Sequence, residues 1–122
     1  MIDWKVIENG WCSIRWKVKQ NGDRLKLIAD FENTGTIPIE DLNIRLRFNA
    51  SVLRRMDLDR MKLGHLLPGD TVRFTTRLEA RREFDETELI LRVRSDVGDD
   101  PRNLDISLGS YSLKIIQTMR TR

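Results

Sequence analysis

The chain has 122 residues, of which 39% are hydrophobic and 34% are charged. This composition predicts one folded domain, spanning residues 1–122, with a core of its own. Its 22 Lys and Arg residues against 19 Asp and Glu residues give a net charge of only +3, so the charge balance alone does not indicate a nucleic-acid-binding protein. One cysteine and one histidine exclude an internal disulfide and a zinc site of the usual kind within one chain.

The sequence shows neither a secretory signal nor a membrane-spanning segment. No basic stretch followed by an apolar run opens the chain, as a secretory signal would require. No apolar segment approaches the length of a membrane span. A lone thiol also fits a reducing compartment. Together these features predict a cytoplasmic protein or module.

Alternation of apolar and polar residues with a period of two is the main structural signal along the first half of the chain. It is typical of strands that bury one face. Such runs cover residues 12–19, 25–32 and 42–48. The Asn-Gly pair within residues 20–23 predicts a tight hairpin between the first two runs, because this pair suits the turns that match strand twist.

The segment between the second and third runs carries strong turn chemistry. Asn33-Thr34-Gly35 supplies residues that tolerate a positive φ, and Pro38 cannot donate a hydrogen bond to a strand ladder. The chain is therefore expected to turn within residues 33–38.

Residues 49–65 are ambiguous, and two interpretations remain open. A short helix would be lined by Val52, Leu53, Met56 and Leu63, whereas edge strands would use Met56, Leu58, Met61 and Leu63. Beyond this segment the strand pattern resumes. The elements predicted there are a turn at 66–71, strands at 72–78 and 89–93, a polar loop at 98–103 and a ribbon at 104–116 that is broken by Gly109.

Turn signals recur about every ten residues, which favours an all-β fold. We therefore predict a two-layer antiparallel immunoglobulin-like β-sandwich. The residues expected to face between the sheets are Leu25, Leu27, Phe31, Leu42, Ile44, Leu46, Phe74, Leu78, Leu89, Leu91 and Val93.

Two stretches carry a resemblance to known families: "FENTGTIPIEDLNIRLRF" and, later, "LLPGDTVRFTTRLEA". They resemble immunoglobulin-like sandwiches, in particular adhesion-type (CARDB-like) domains and the appendage or ear domains of vesicle-coat adaptors. The resemblance covers residues 21–116, and its motifs are turn chemistry, which is informative about architecture. The likeness to adaptor ears implies recognition of short acidic-hydrophobic peptides through basic surface residues. The paired cysteines of antibody-type domains are missing.

Catalytic and metal-binding signals are poor. His65 lacks an accompanying nucleophile motif, and Cys12 falls on the apolar side of its strand, where a small core residue is expected. Asp96, Asp99 and Asp100 form an acidic group with Asp105, but Arg102 lies among them and no calcium-loop spacing occurs. The sequence therefore predicts no enzymatic activity, no metal site and no cofactor.

The distribution of arginine is the most informative functional pattern. If the third, sixth and seventh predicted strands share a sheet, alternation places several basic residues on one solvent face, with few acids nearby. The opposite sheet mixes its basic residues with Asp30, Glu32 and Glu79 and should neutralise itself. The candidate binding residues on the first face are Arg45, Arg47, Ile90, Arg92, Arg94 and Lys114, with Ile116 as a further apolar member.

Basic groups beside apolar residues suit an interface for an acidic, partly hydrophobic partner. The predicted function is a non-enzymatic interaction module that binds a protein or peptide through this face or by strand addition at an open edge. Binding of nucleic acid or another polyanion is the first alternative. A structural role in oligomerisation, with Ile90 and Ile116 in a subunit contact, is the second. Rows of solvated charge that prevent edge-to-edge aggregation would produce the same pattern without any partner.

Overall fold

The computed structural model describes residues 3–114, which form nine β-strands and no helix. Their antiparallel pairing confirms the predicted all-β class. The strands are β1 (Lys5–Glu8), β2 (Cys12–Asn21), β3 (Arg24–Asn33), β4 (Ile39–Arg47), β5 (Leu53–Arg55), β6 (Arg60–Leu66), β7 (Thr71–Ala80), β8 (Phe84–Val97) and β9 (Asp100–Leu113).

Two sheets form the two layers of the sandwich. Sheet A has the strand order β1-β2-β3-β7-β5, and sheet B has the order β6-β4-β8-β9. The third, sixth and seventh strands of the sequence prediction correspond to β4, β8 and β9. These three are neighbours in sheet B, as the immunoglobulin-like order required.

The core lies between the sheets and contains every residue that the alternation predicted. Each of the eleven is at most 4% exposed, so the predicted inward faces of β3, β4, β7 and β8 are confirmed. Cys12 and Trp16 join the same core from β2. Burial of this apolar surface is the main stabilising contribution to such a fold.

Two predicted turns occur where the sequence placed them. Asn21 pairs with Arg24 at the end of the β2–β3 hairpin, and Gly22 between them has a φ of 63°. Gly69 has a φ of 86°, and the Asp70 N–H donates to the Leu67 carbonyl at 3.0 Å. Both glycines adopt a backbone conformation that other residues rarely take.

The turn at residues 33–38 forms by a different mechanism from the one predicted, because no residue in it has a positive φ. Instead the buried side chain of Asn33 organises the loop. Its Oδ1 accepts a hydrogen bond from the Gly35 N–H at 2.9 Å, and its Nδ2 donates to the carbonyls of Ile37 at 3.0 Å and Leu66 at 2.9 Å. Since Asn33 ends a strand of sheet A and Leu66 ends a strand of sheet B, one amide joins the two layers.

Residues 49–65 follow the edge-strand interpretation, and the helix interpretation is wrong. The short β5 lies at an edge of sheet A, and β6 lies at an edge of sheet B. The chain crosses between the layers at Leu58, whose carbonyl accepts a hydrogen bond from Thr76 Oγ1 at 2.8 Å. The predicted polar loop at 98–103 is shorter than expected, because Val97 already pairs with Asp100.

Candidate functional site

The outer face of sheet B carries three arginines that lie directly opposite one another on neighbouring strands. Arg45 of β4 is paired in register with Arg60 of β6 on one side and with Arg92 of β8 on the other. On β9 the row continues with Asp105, opposite Arg92. We call Arg60, Arg45 and Arg92 the arginine ladder. Neighbouring members have Cα atoms about 4.5–5.5 Å apart, as in any antiparallel pair.

Further basic residues flank the ladder on both sides. In one neighbouring row Arg47 lies opposite Ile90, and in the other Asn43 lies between Lys62 and Arg94. Together these side chains form a group of six cations on three neighbouring rows, with the half-buried Ile90 in one end row. We call it the basic face, and its residues are Arg45, Arg47, Arg60, Lys62, Arg92 and Arg94, with Ile90 among them.

The structure brings together five of the six predicted site residues and separates the sixth. Lys114 follows Leu113, which pairs with Phe84 at the far end of β8. Ser107 is the β9 residue opposite Ile90, and at about 3.3 Å per residue Lys114 lies roughly 20 Å further along the sheet. Lys114 is therefore exposed but remote from the basic face. Ile116 lies outside the described residues.

Sequence reasoning missed two members of the basic face, Arg60 and Lys62. Both belong to β6, within the segment whose structure the sequence left open. The available signal was the alternation of these two basic residues with Met61 and Leu63, both of which pack partly buried against the core.

Acids are less scarce near this face than expected. Arg92 Nε donates to Asp105 Oδ1 at 3.1 Å. Arg60 Nε lies 3.8 Å from Asp59 Oδ1, and that oxygen is shared with Arg55 at 3.6 Å. The remaining cations make no ion pair or side-chain hydrogen bond with any residue in the range 3–114; they are Arg45, Arg47, Lys62 and Arg94.

The outer face of sheet A, which we call the paired face, has the opposite arrangement. Asp30 on β3 lies between Arg15 of β2 and Arg73 of β7. Its carboxylate accepts hydrogen bonds from Arg15 Nε at 2.9 Å and from Arg73 Nε and Nη2 at 2.7 and 3.0 Å. Chiefly because of the hydrogen bonds from Arg73, and despite burial, the pKa of Asp30 is lowered from its ordinary value.

The same arrangement recurs along the paired face. Glu79 forms ion pairs with Arg54 and Arg24, and its pKa is lowered, mainly by the hydrogen bond from Arg54. Asp57 accepts hydrogen bonds from Arg77 at 2.8 and 3.1 Å. The predicted self-neutralisation of this face is confirmed for its arginines.

An aromatic side chain covers part of the paired face. The Trp4 ring lies under the guanidinium carbon of Arg15, at 4.4 Å from the ring centroid, and under Lys17 Nζ at 4.3 Å. Cation–π contacts of this kind stabilise the positions of the cations. Arg15 is therefore held by both an acid and an aromatic ring.

The single cysteine and the single histidine lie on strands of different sheets, Cys12 on β2 and His65 on β6. Burial raises the pKa of the Cys12 thiol to about 11, against a hydrogen bond with Asn9 that lowers it, so the thiol is protonated at neutral pH. His65 is exposed on β6, opposite Glu40. Within residues 3–114 no group of three or more His, Cys, Asp or Glu side chains is arranged to hold a metal ion. The described part of the chain also contains no helix able to span a membrane.

Solved structures with the same fold include GAE domains, the gamma-adaptin ear appendage domains of GGA proteins. The GAE domain of GGA2p from Saccharomyces cerevisiae aligns with a TM-score of 0.58 at 13% identity, over 93% of this chain and 99% of that one. The GAE domain of yeast GGA1 gives a TM-score of 0.62 at 11% identity, over 93% and 100%. The sequence matches no protein-family model and no curated protein. The chain therefore has the immunoglobulin-like fold of adaptor ear domains, as its turn motifs suggested.

Proposed function

We propose that this domain is a non-enzymatic protein-interaction module that binds an acidic segment of a partner protein on its basic face. One observation supports this most directly. Three of the five arginines on that face have no acid partner among residues 3–114, namely Arg45, Arg47 and Arg94, whereas every arginine of the paired face has one. Cations that the fold leaves without partners are available to a second molecule.

The chemistry of the face suits such a partner. Arg45 lies at the centre of the ladder, and a guanidinium binds a carboxylate through two parallel hydrogen bonds. Arginine is also more weakly hydrated than lysine, which lowers the cost of covering it with a partner. The half-buried Ile90 adds a small apolar contact beside Arg47. Interfaces commonly combine these two kinds of contact.

The fold and the single thiol support the same assignment at a coarser level. Adaptor ear domains share this sandwich, and their resemblance implied an interaction module rather than an enzyme. We propose a cytoplasmic location on the same basis, together with the lone buried Cys12, which fits a reducing compartment. Replacing His65 or Cys12 with Ala should consequently alter stability at most and leave partner binding intact.

The test uses a library of unstructured peptides that vary in acidic and apolar content, followed by calorimetric titration of the best binder. The double charge reversal Arg47→Glu with Arg92→Glu should weaken binding at least ten-fold. The matched control is Lys19→Glu with Lys26→Glu, which makes the same charge change on the paired face at two residues directly opposite each other. Equal binding by the wild type and the Arg47/Arg92 variant would show that the basic face is only a solvated surface.

Binding by strand addition is a second mode, and one edge favours it. The edge strand β1 leaves Val6 54% and Ile7 39% exposed. Proline and charged residues discourage the addition of a further strand at an edge, as Pro101 does on β9 and two arginines do on β5, and Val6 and Ile7 offer no such protection. Replacing Val6 with Pro would block this mode without altering the basic face. A peptide that binds this variant as well as the wild type does not bind at β1.

Nucleic-acid binding remains the alternative for the same cations. The described residues of the basic face include no aromatic side chain on which a base could stack. A polyanion would instead bind with an affinity that falls steeply with salt, whatever its sequence. Titration of single-stranded DNA at 50 and 200 mM salt separates this function from sequence-dependent peptide binding.

A further inference from the structure

We propose that the acidic group recognised by the basic face is a phosphate carried by a partner protein, bound by the arginine ladder of Arg60, Arg45 and Arg92. This inference rests on the proposed function, because it specifies the partner of the same face. It follows from the order of charges across the strands of the two sheets.

The paired face shows how this fold satisfies a row of arginines with carboxylates. In the row of Arg15, Asp30 and Arg73 the acid occupies the central strand and accepts hydrogen bonds from both neighbours. Glu79 is placed in the same way, between Arg24 of β3 and Arg54 of β5. In both of these rows, therefore, one carboxylate lies between two arginines.

The ladder has a third arginine where those rows have their acid. Arg45 occupies the central strand, so three positive charges lie directly opposite one another, which is unfavourable in a sheet. Asp105 hydrogen-bonds only the outer member Arg92. Asp59 approaches Arg60 no closer than 3.8 Å and also serves Arg55. Within residues 3–114 the ladder thus lacks an acid at its centre, at Arg45.

The missing charge is better supplied by a phosphate than by a carboxylate. A carboxylate offers two oxygens and one negative charge, enough for the fork of one guanidinium. A phosphorylated side chain carries about −1.5 to −2 charges at pH 7 and three acceptor oxygens. Three guanidinium groups on adjacent strands can each donate to a different oxygen of one such group. Arginine clusters recognise phosphorylated segments in other proteins by this chemistry.

A protein segment fits the face better than a membrane surface does. Acids surround the ladder on the same side of sheet B. Glu40 lies opposite Asp96 towards one end, Asp105 lies on β9, and Glu88 of β8 accepts a hydrogen bond from Ser107 of β9. An anionic bilayer laid flat on the face would be repelled by these carboxylates. A single extended segment can place its phosphate on the ladder and avoid them.

The experiment compares three seven-residue peptides of glycine and isoleucine that differ only at the central position, which is phosphoserine, glutamate or serine. Each is titrated into the full chain at 0.15 M salt, and the arginine Nε–Hε resonances are followed by NMR. We expect the phosphoserine peptide to bind at least five-fold more tightly than the glutamate peptide. The signals of Arg45, Arg60 and Arg92 should shift together.

Two variants locate the site. Arg45→Gln should reduce phosphoserine-peptide affinity at least five-fold, and Arg60→Gln serves the same purpose if the first variant folds poorly. The matched control is Arg82→Gln, which removes the same charge from an exposed connection before β8, roughly 25 Å from the ladder. It should bind like the wild type.

Each other result overturns the inference in a recognisable way. If the phosphoserine and glutamate peptides bind with equal affinity, and Arg45→Gln abolishes the binding of both, the face binds acidic groups but does not select a phosphate. Binding that survives Arg45→Gln would place the site elsewhere. If vesicles containing a phosphoinositide bind the chain while the phosphoserine peptide does not, the phosphate belongs to a lipid. If none of the peptides and none of the library peptides bind, the proposed function fails as well.

Discussion

The two outer faces of the sandwich carry equal numbers of arginines within residues 3–114 and use them differently. On the paired face all five arginines form ion pairs; they are Arg15, Arg24, Arg54, Arg73 and Arg77. On the basic face only two of five do, Arg60 and Arg92. Because the two faces carry equal numbers of arginines, arginine content does not explain the contrast. Backbone geometry does not explain it either, because both sheets are antiparallel ladders.

The difference comes from the cross-strand register. In two rows of the paired face an acid lies between two arginines, as in Arg15, Asp30 and Arg73. A third row, Lys19, Lys26 and Arg77, is wholly basic, and its arginine pairs instead with Asp57. Across the basic face Arg45 has an arginine on each side. Cross-strand neighbours interact directly, whereas residues two apart on one strand lie about 6.6 Å from each other. An arginine opposite an acid is therefore held in an ion pair within the domain, whereas an arginine opposite another arginine is available to bind a partner.

The largest expected effect is the difference in unfolding free energy between a variant on the buried side of β8 and one on its exposed side. Replacing Leu91, which is buried in β8, with Ala should lower the free energy of unfolding by about 3 kcal/mol, through lost burial and a residual cavity. Arg92→Ala at the adjacent position on the basic face should cost under about 1 kcal/mol. Urea unfolding of both variants measures the contrast. Similar losses for the two would mean that the assignment of inner and outer faces is wrong.

The second largest loss of stability is expected on replacing Asn33, whose side-chain amide joins the two layers. Asn33→Ala removes three hydrogen bonds and leaves the carbonyl of Leu66 without its partner, which should cost about 2 kcal/mol. Asn43→Ala is the matched control, because Asn43 makes no side-chain hydrogen bond within residues 3–114, and it should cost under about 0.5 kcal/mol. A neutral Asn33→Ala variant would contradict the role of this side chain.

The fold was predictable because burial imposes a period of two on every long strand. That period identified the eleven core residues without any knowledge of pairing. Residues 49–65 resisted prediction for a physical reason: β5 has three residues, too few for a period to show, and the chain then changes sheets. The loop at 33–38 was located correctly, but its hydrogen bonds depend on Leu66, which is distant in the sequence.

The binding face was only partly predictable because partners across strands are set by register. A two-residue turn at Gly98 and Asp99 places Arg92 opposite Asp105. The longer loop predicted at 98–103 fixed no register, so this ion pair was missed. Arg60 was missed because its strand was not identified. The alternation along a strand shows which side of the sheet a residue faces. Its neighbour on the next strand is known only once the length of the connecting turn is known.

Removing the central acid of the paired face should have an intermediate effect. Asp30→Asn eliminates the charge that Arg15 and Arg73 share and weakens three hydrogen bonds. Because both arginines are about half exposed, solvent screening should limit the cost to about 1 kcal/mol. Asp105→Asn, beside the ladder, should cost under about 0.5 kcal/mol, since that carboxylate is more exposed. Equal costs would remove the distinction between the faces.

The same carboxylate predicts a dependence of stability on pH. Because the pKa of Asp30 is lower in the folded chain than its ordinary value of about 3.9, its stabilisation is present above that value and is lost as the pH falls through the folded pKa. The difference in unfolding free energy between the wild type and Asp30→Asn should therefore be constant from pH 7 to 5 and shrink below about pH 4. A difference that does not shrink at all as the pH falls below about 4 would mean that Asp30 acts without its charge.

The smallest effect should come from the centre of the ladder and has the opposite sign. Arg45→Gln removes a positive charge that faces two others and has no acid partner among residues 3–114, so relief of repulsion should leave stability unchanged or raise it by up to about 0.5 kcal/mol. Arg73→Gln on the paired face should instead destabilise, because it deprives Asp30 of two hydrogen bonds. The gain for Arg45→Gln should diminish at 1 M salt, where such repulsion is screened. If Arg45→Gln destabilises as much as Arg73→Gln does, Arg45 is a structural residue and its charge is not available for a partner.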